Sequence, residues 1–320
     1  MNIIAEFCQN HLGKLEILES QILKAKIAGA KYGKIQGLYS HELVKRTRFE
    51  GINDLQNSSS QIVRPFDSEY NRLKTLDLTL DNEKWFVKRC REVELIPMIT
   101  VFTHDGVNRA LEAGFTNFKI ASYDCASIPL IKRLLPHAET LIISTGATYW
   151  SEILETAKFI QKNNQNSSEI AFLHATTIYP TKIEELSMLR MLALKIFGFK
   201  VGYSDHTMPS STGLFASKLA ILFGADFIER HFTVLAKDKT KDGIVSINEK
   251  ELNTLVEFSM YNKSEQTELI LKKYGSFYTQ AIMNTNINPT EVEVTNRDYY
   301  RGRVASTLNG KVINSWEDYE

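Results

Sequence analysis

The chain has 320 residues, a length that suits one large barrel domain or two ordinary domains. Its 43% hydrophobic and 24% charged residues are typical of soluble globular proteins. The 38 basic and 38 acidic residues cancel, which disfavours a nucleic-acid-binding protein, and no stretch approaches the ~18 uninterrupted apolar residues of a membrane helix.

Short apolar runs rich in β-branched residues alternate with longer amphipathic segments along the chain. The predicted strands are Ile3–Phe7, Tyr32–Gln36, Ile96–Phe102, Asn117–Ser122, Thr140–Thr145, Ile170–His174, Phe199–Tyr203 and Asp226–Arg230. The predicted helices include Leu15–Ala28, Asp81–Glu94, His104–Ala113, Ser151–Gln161, Ile183–Leu194 and Ser211–Phe223. Gly29, Gly114 and Gly224 each follow a predicted helix, where a C-cap glycine belongs.

This alternation predicts the fold class. Eight strands, each followed by a helix, match a (β/α)8 TIM barrel, whose strands are buried on both faces and therefore continuously apolar. An open doubly wound sheet is the alternative, but it usually has a glycine-rich phosphate turn after its first strand, and none follows Phe7. We predict a TIM-barrel domain over residues 1–275 and a C-terminal extension over residues 276–320.

The N-terminus and the cysteines indicate a cytoplasmic protein. Glu6 interrupts the first apolar run, which therefore lacks the long apolar core of a signal peptide. Cys8, Cys90 and Cys125 are odd in number and have no metal-binding spacing, which suits a reducing compartment rather than a disulfide framework.

Polar residues occur at the end of every predicted strand, where a TIM barrel has its active site. Because chance would scatter such residues over both ends of the barrel, we predict one polar pocket ringed by all eight strands. The strand-end candidates are Glu6, Gln9, Asn10, His11, Lys34, Gln36, Thr100, Lys119, Ser122, Asp124, Ser144, Thr145, His174, Tyr179, Ser204, Asp205, His206, Glu229 and His231.

Part of this pocket has the composition of an anion site. Lys34 and Lys119, together with the strand-end hydroxyls, supply the charges and donors that a buried phosphate requires. Taken singly, a lysine at a strand's end is most often solvated. Hydroxyls such as those of Thr145 and Ser204 often only cap the next helix.

Another part has the composition of a metal site. His206 and His231 end adjacent strands and are placed to share a divalent metal. Glu6, Asp205 or Glu229 would be further ligands or would support them. An isolated histidine pair usually binds no metal, so the prediction depends on the convergence of all these groups at one rim. The residues alone leave the reaction open.

Several blocks of the sequence match known motifs in their proper order. Ile4–Gly13 reads IAEFCQNHLG, Gly202–Thr207 reads GYSDHT and Ile228–Thr233 reads IERHFT. They resemble the IAEIGxNHxG, GYSDHT and IEKHFT blocks of the sialic acid synthase (nonulosonate synthase) family. The family's VKFQ, KIASGD, ILSTGM, LHCxxxYPT and GPDxxxS blocks are similar to Gly33–Gln36, Lys119–Asp124, Ile142–Ala147, Leu173–Thr181 and Lys241–Ser246.

The resemblance implies a metal-dependent synthase that condenses phosphoenolpyruvate with an amino sugar. The residues implied to bind phosphoenolpyruvate are Lys34, Thr100, Lys119, Ser122, Ser144 and Ser204. The residues implied to face the open-chain sugar are Glu6, Gln36, Tyr179 and Asp242. His206 and His231 are implied to bind Mn²⁺ or Mg²⁺, and Asp124 or Glu6 to serve as acid/base.

The C-terminal part departs from the family pattern. The family commonly ends in an antifreeze-like domain that swaps across a dimer and adds an arginine to the sugar pocket. Only 45 residues follow Gly275, so we expect no complete domain of this kind, with Arg301 and Arg303 as candidate substitutes. The tail is expected to form a strand or hairpin on a neighbouring subunit, or else a solvated end. A homodimer is expected from the family.

The segment Leu38–Leu73 is predicted to be a long loop. It carries Lys45, Arg46, Arg48 and Arg64 and a serine-rich stretch at Ser58–Ser60. Long loops on barrels are often lids, and a mobile surface insertion is the alternative.

Two other functions remain open at this point. A metal-dependent hydrolase or a different aldolase could use the same histidines, although a neutral substrate would not require both Lys34 and Lys119. A catalytically silent sugar-binding scaffold of surface-glycan assembly is the other alternative, and the presence of Glu6, Asp124 and both histidines argues against it.

Overall fold

Eight parallel strands close into a barrel in the structure, a computed structural model that describes residues 1–51 and 62–319. Each strand pairs with the next one along the chain, and the last strand pairs with the first. This closure confirms the TIM barrel and rules out the open doubly wound sheet. The strands are β1 Asn2–Cys8, β2 Tyr32–Gly37, β3 Ile96–Val101, β4 Asn117–Ile120, β5 Thr140–Ser144, β6 Glu169–Ala175, β7 Lys200–Asp205 and β8 Phe227–His231.

Helices connect the strands and pack around the barrel. In the described residues they are α1 Leu15–Ile27, α2 Phe66–Lys74, α3 Leu80–Glu92, α4 His104–Ala113, α5 Ile128–Leu134, α6 Trp150–Asn163, α7 Met188–Ala193, α8 Pro209–Thr212, α9 Phe215–Leu222, α10 Glu249–Met260, α11 Lys263–Met283 and α12 Glu291–Tyr300. The bounds of α4 are those predicted. Gly29, Gly114 and Gly224 have φ angles of 90°, 89° and 77°, the left-handed backbone expected after a helix.

Two predicted helices are broken. Ser187, at φ 46°, precedes α7 and separates it from a 3₁₀ turn at Ile183–Glu185, where a single helix over Ile183–Leu194 is predicted. Gly213, at φ 61°, separates α8 from α9, where a single helix over Ser211–Phe223 is predicted. A left-handed residue cannot continue a right-handed helix, and hydrophobic periodicity does not reveal such a break.

The interior of the barrel changes from apolar to polar along its axis. An apolar cluster fills the end nearer the strands' N-termini, formed by Ile4, Tyr32, Met98, Ile142, Ala171, Leu173 and Phe227. On five of these strands the residue two positions after the apolar one is polar: these residues are Glu6, Lys34, Thr100, Ser144 and Glu229. Because side chains two apart on a strand face the same side, the polar layer lies directly above the apolar one.

The segment Leu38–Leu73 is not the unstructured loop predicted, as far as it is described. It forms 3₁₀ turns at Ser40–Glu42 and Thr47–Phe49 and the first turns of α2, whereas Ser58–Ser60 lies outside the described residues. Arg46 donates to the carbonyl oxygens of Tyr299 and Arg301 at the end of α12, the latter at 3.1 Å. Its guanidinium therefore holds the C-terminal part of the chain and does not face the pocket.

The C-terminal part packs on the barrel of its own chain. The domain boundary predicted after residue 275 falls within α11, next to a kink at Tyr274 (φ −134°). The backbone N–H of Asp105 donates to the Ser306 hydroxyl (2.8 Å), and the Ser315 hydroxyl donates to Asp124 (2.8 Å). Of the two expected forms of the tail, the structure has the hairpin, and the tail contacts the barrel of its own chain. The strands of the hairpin are β9 Ser306–Leu308 and β10 Lys311–Ile313.

No helix in residues 1–51 and 62–319 has both the length and the apolar character of a membrane span.

Candidate active site

One cavity of about 360 Å³ opens at the C-terminal ends of the barrel strands. Every residue that the family resemblance implies to bind phosphoenolpyruvate, sugar or metal, or to act in catalysis, lines it. The short loops after parallel strands place side chains from distant parts of the chain around one opening. The lining residues include Glu6, Lys34, Gln36, Thr100, Lys119, Ser122, Asp124, Ser144, Tyr179, Ser204, His206, His231 and Asp242.

The floor of the cavity is a buried network of alternating charges. Lys34 forms an ion pair with Glu6 and lies 3.5 Å from Glu229, which also pairs with Lys119. All four side chains are almost fully buried. Burial lowers the pKa of Lys34, with Glu229 opposing the shift. Burial tends to raise the pKa of the Glu229 carboxyl, but the charges of Lys119 and Lys34 have the larger effect and hold that pKa below its ordinary value. The two carboxylates thus balance the lysines when no anion is bound.

Hydroxyl groups surround this network. Thr100 accepts a hydrogen bond from Lys34 Nζ (2.8 Å). The Ser204 hydroxyl donates to Glu229 (2.7 Å) and therefore does not serve only as a helix cap. The buried Ser144 hydroxyl has no partner among the described residues. A buried hydroxyl without a partner is costly, and a bound anion would satisfy it.

The two histidines lie side by side, with ring centroids 5.5 Å apart. Nδ1 of His206 is 2.9 Å from the Thr176 carbonyl oxygen. Since a carbonyl only accepts, Nδ1 carries the proton and Nε2 keeps its lone pair. Nδ1 of His231 is buried and has no partner among the described residues. Burial lowers the pKa of His206 to about 3 and lowers the pKa of His231, so both rings are neutral, the form that ligates metals. The pair therefore fits a divalent ion.

The further metal ligands expected from the sequence are engaged elsewhere. Asp205 forms a fully buried ion pair with Arg230 (2.6 Å) and accepts from Ser217 (2.5 Å), which turns it away from the cavity. Glu6 and Glu229 are bound to the lysines.

A group that sequence reasoning missed stands beside His231. One ligand atom each from Cys8, His231 and Asp242 lie within 4.8 Å of one another. The only signal in the sequence is that Cys8 occupies the motif position where the family has glycine.

Asp124 is buried in the 3₁₀ turn Ser122–Asp124 after β4. Burial raises its pKa to about 6, while the hydrogen bond from the Ser315 hydroxyl (2.8 Å) opposes the shift. A carboxyl group with such a pKa can exchange a proton near neutral pH. The contact with Ser315 comes from the C-terminal extension, and no local pattern indicates it.

The outer wall of the cavity is basic, and Arg303 is its only member that the sequence suggested for the sugar pocket. It contains Arg64, Arg72, Lys241 and Arg303, which we call the outer cationic wall. Of the two candidate arginines in the extension, Arg303 lines the cavity. Arg301 instead lies over the Trp316 ring, 3.8 Å from Glu152.

Comparisons with known proteins agree with this geometry. The sequence profile of the NeuB family matches residues 21–269. An N,N'-diacetyllegionaminic acid synthase of Campylobacter jejuni is 29% identical over 254 residues, which are 79% of this chain and 73% of that protein. A pseudaminic acid synthase of Helicobacter pylori is 25% identical over 80% of this chain and 72% of its own length. A crystal structure of N-acetylneuraminic acid synthetase from Leptospira borgpetersenii, in complex with citrate, superposes with a TM-score of 0.66 at 26% identity, covering 85% of this chain and 92% of that one.

Proposed function

The chain belongs to the NeuB family, and from that membership and the contents of the cavity we propose that it condenses phosphoenolpyruvate with an N-acetylated amino sugar. The acceptor is of the N-acetylmannosamine or 2,4-diacetamido-trideoxyhexose type, and the products are a nonulosonic acid and phosphate. The observation that carries this proposal is the presence of two buried lysines, a buried hydroxyl without a partner and two neutral histidines in one cavity.

Phosphoenolpyruvate would lie over the charged floor. Without the ligand, Lys34 and Lys119 form ion pairs with Glu6 and Glu229. When phosphoenolpyruvate binds, its phosphate and carboxylate oxygens would replace part of these contacts, so each lysine keeps a negatively charged partner. Hydroxyl groups complete the site by donating to the same oxygens. They are those of Thr100, Ser122, Ser144 and Ser204.

The carbon–carbon bond forms between C3 of the enol and the aldehyde carbon of the open-chain sugar. Mn²⁺ or Mg²⁺ held by His206 and His231 would supply Lewis-acid polarisation of the aldehyde oxygen. Tyr179, whose ring centroid is 4.1 Å from that of His206, would lie against the sugar together with Gln36 and Asp242.

The second half of the reaction needs a base. Attack by C3 on the aldehyde carbon leaves cationic character at C2 of phosphoenolpyruvate, which a water molecule quenches. Asp124 would take the proton of this water, because its pKa of about 6 leaves it ionised at neutral pH yet still basic; Glu6 is the alternative base. The tetrahedral carbon then expels phosphate, and the product is a 2-keto acid three carbons longer than the sugar.

The setting of this reaction follows from the family. We propose that the protein acts in the reducing cytoplasm, in agreement with its three free, buried cysteines, and that it forms a homodimer.

Phosphate release tests the proposal. With phosphoenolpyruvate, Mn²⁺ and a panel of amino sugars, release is expected only when all three components are present. His206→Ala and His231→Ala should abolish the stimulation by metal, whereas His137→Ala, at an exposed position outside the cavity, should leave it intact. Release without sugar would instead indicate a hydrolase, and no release with any sugar would favour a sugar-binding scaffold.

A further inference from the structure

The group formed by Cys8, His231 and Asp242 assembles three different donor atoms. The thiol sulphur, an imidazole nitrogen and a carboxylate oxygen lie within 4.8 Å of one another. Cys8 and His231 end β1 and β8, which pair directly, and Asp242 belongs to the loop after β8. In a tetrahedral zinc site, donor atoms are separated by about 3.3–3.8 Å, given metal bonds of ~2.0–2.3 Å. Small side-chain shifts are enough to reach this geometry.

Two further observations indicate that the group serves a ligand. Nδ1 of His231 is fully buried, and neither ring nitrogen of His231 has a hydrogen-bond partner among the described residues, whereas the buried rings of His104 and His174 each bond a carbonyl oxygen through Nε2. The backbone of Cys8 has φ 40°, a conformation that costs a cysteine energy and a glycine almost none. A cysteine at a position that favours glycine is consistent with a role for the thiol itself.

We propose that Cys8 and Asp242 bind the same divalent ion as His231, with His206 as the neighbouring ligand. Asp242 and His231 line the cavity, so an ion can reach the site from it, while the thiol of Cys8 lies behind them, shielded from solvent. A thiolate is a soft donor, so this site prefers Zn²⁺, Fe²⁺ or Co²⁺ to Mg²⁺. The inference rests on the proposed metal-dependent condensation for its role, but metal binding is measured without any substrate.

Cobalt spectroscopy tests the proposal. Titrating the metal-free protein with Co²⁺ should produce a near-ultraviolet thiolate-to-cobalt charge-transfer band at one equivalent. Cys8→Gly should abolish the band, and glycine relaxes the backbone at this position, so the fold is retained. Cys90→Ala is the matched control: it removes an equally buried thiol, located in α3 and outside the metal group, and should keep the band.

Affinity provides a second measurement. Loss of a residue that only supports a metal ligand weakens metal binding ~10–100-fold. Cys8→Gly and Asp242→Asn should each weaken Zn²⁺ binding by more than this, measured by competition with a chelator. Absence of Co²⁺ binding, a wild-type complex without the thiolate band, or a band that survives Cys8→Gly would each overturn the proposal. If the band is absent but Mg²⁺ still supports sugar-dependent phosphate release, the proposed function stands and only this inference fails.

Discussion

Removing the Ser315 hydroxyl should change the pH dependence of the reaction. This hydroxyl donates to Asp124 Oδ1 at 2.8 Å, and both groups are buried. A hydrogen bond to a charged group contributes about 1.5–3 kcal/mol, and one pKa unit corresponds to ~1.4 kcal/mol. Because the bond stabilises the ionised carboxylate, Ser315→Ala should raise the pKa of Asp124 from about 6 to roughly 7 or above.

The sign of the effect follows from the role of Asp124 as a base. The ionised carboxylate is the active form, so kcat/KM in the wild type should fall as the pH drops through about 6. In Ser315→Ala the fall should begin about one unit higher. Activity at pH 6 should then be roughly five-fold below the wild type, and activity at pH 8.5 nearly unchanged.

A pH profile of kcat/KM checks this result. Ser306→Ala is the matched control, because Ser306 is a buried serine of the same extension that contacts Asp105 instead of Asp124. An acidic limb that stays in place, or an equal loss of activity at every pH, would refute the assignment of Asp124 as the base.

Three further predictions concern binding and stability. Lys119→Met should weaken phosphoenolpyruvate binding about 10- to 100-fold in calorimetry, and an unchanged Kd would contradict the proposed anion site. Arg303→Gln should raise the KM of the sugar about 10-fold without changing the KM of phosphoenolpyruvate. Arg301→Gln, outside the cavity, should change neither KM value. Equal effects of the two substitutions on the KM of the sugar would argue against a contact between Arg303 and the sugar. Arg230→Met leaves the fully buried Asp205 without its ion-pair partner and should lower the free energy of unfolding, measured in urea, by about 3–5 kcal/mol. A loss below ~1 kcal/mol would show that this ion pair does not stabilise the fold.

The barrel could be predicted because its signals are local. Each strand is a short apolar run between turn residues, and period two alone places Lys34 above Tyr32 and Glu229 above Phe227 inside the barrel. The rule that active sites lie at the C-terminal ends of barrel strands then gathers the pocket residues without any three-dimensional information.

The missed features depend on contacts between distant residues or on single backbone angles. Cys8 and Asp242 are far apart in the sequence, and no spacing rule connects them. Ser315 reaches Asp124 only because the extension folds back on its own barrel. The break at Gly213 is set by one left-handed residue, which leaves the hydrophobic periodicity around it unchanged.

The fate of the oxygen of water tests the proposed reaction most directly. If water attacks C2 of phosphoenolpyruvate, the carbon–oxygen bond breaks, and phosphate released in H₂¹⁸O takes no oxygen from the solvent. ³¹P NMR of a reaction with phosphoenolpyruvate, metal and the accepted sugar should therefore show unlabelled phosphate that forms only when the sugar is present. Phosphate carrying one ¹⁸O would show attack at phosphorus, and the protein would then be a phosphatase rather than a carbon–carbon synthase.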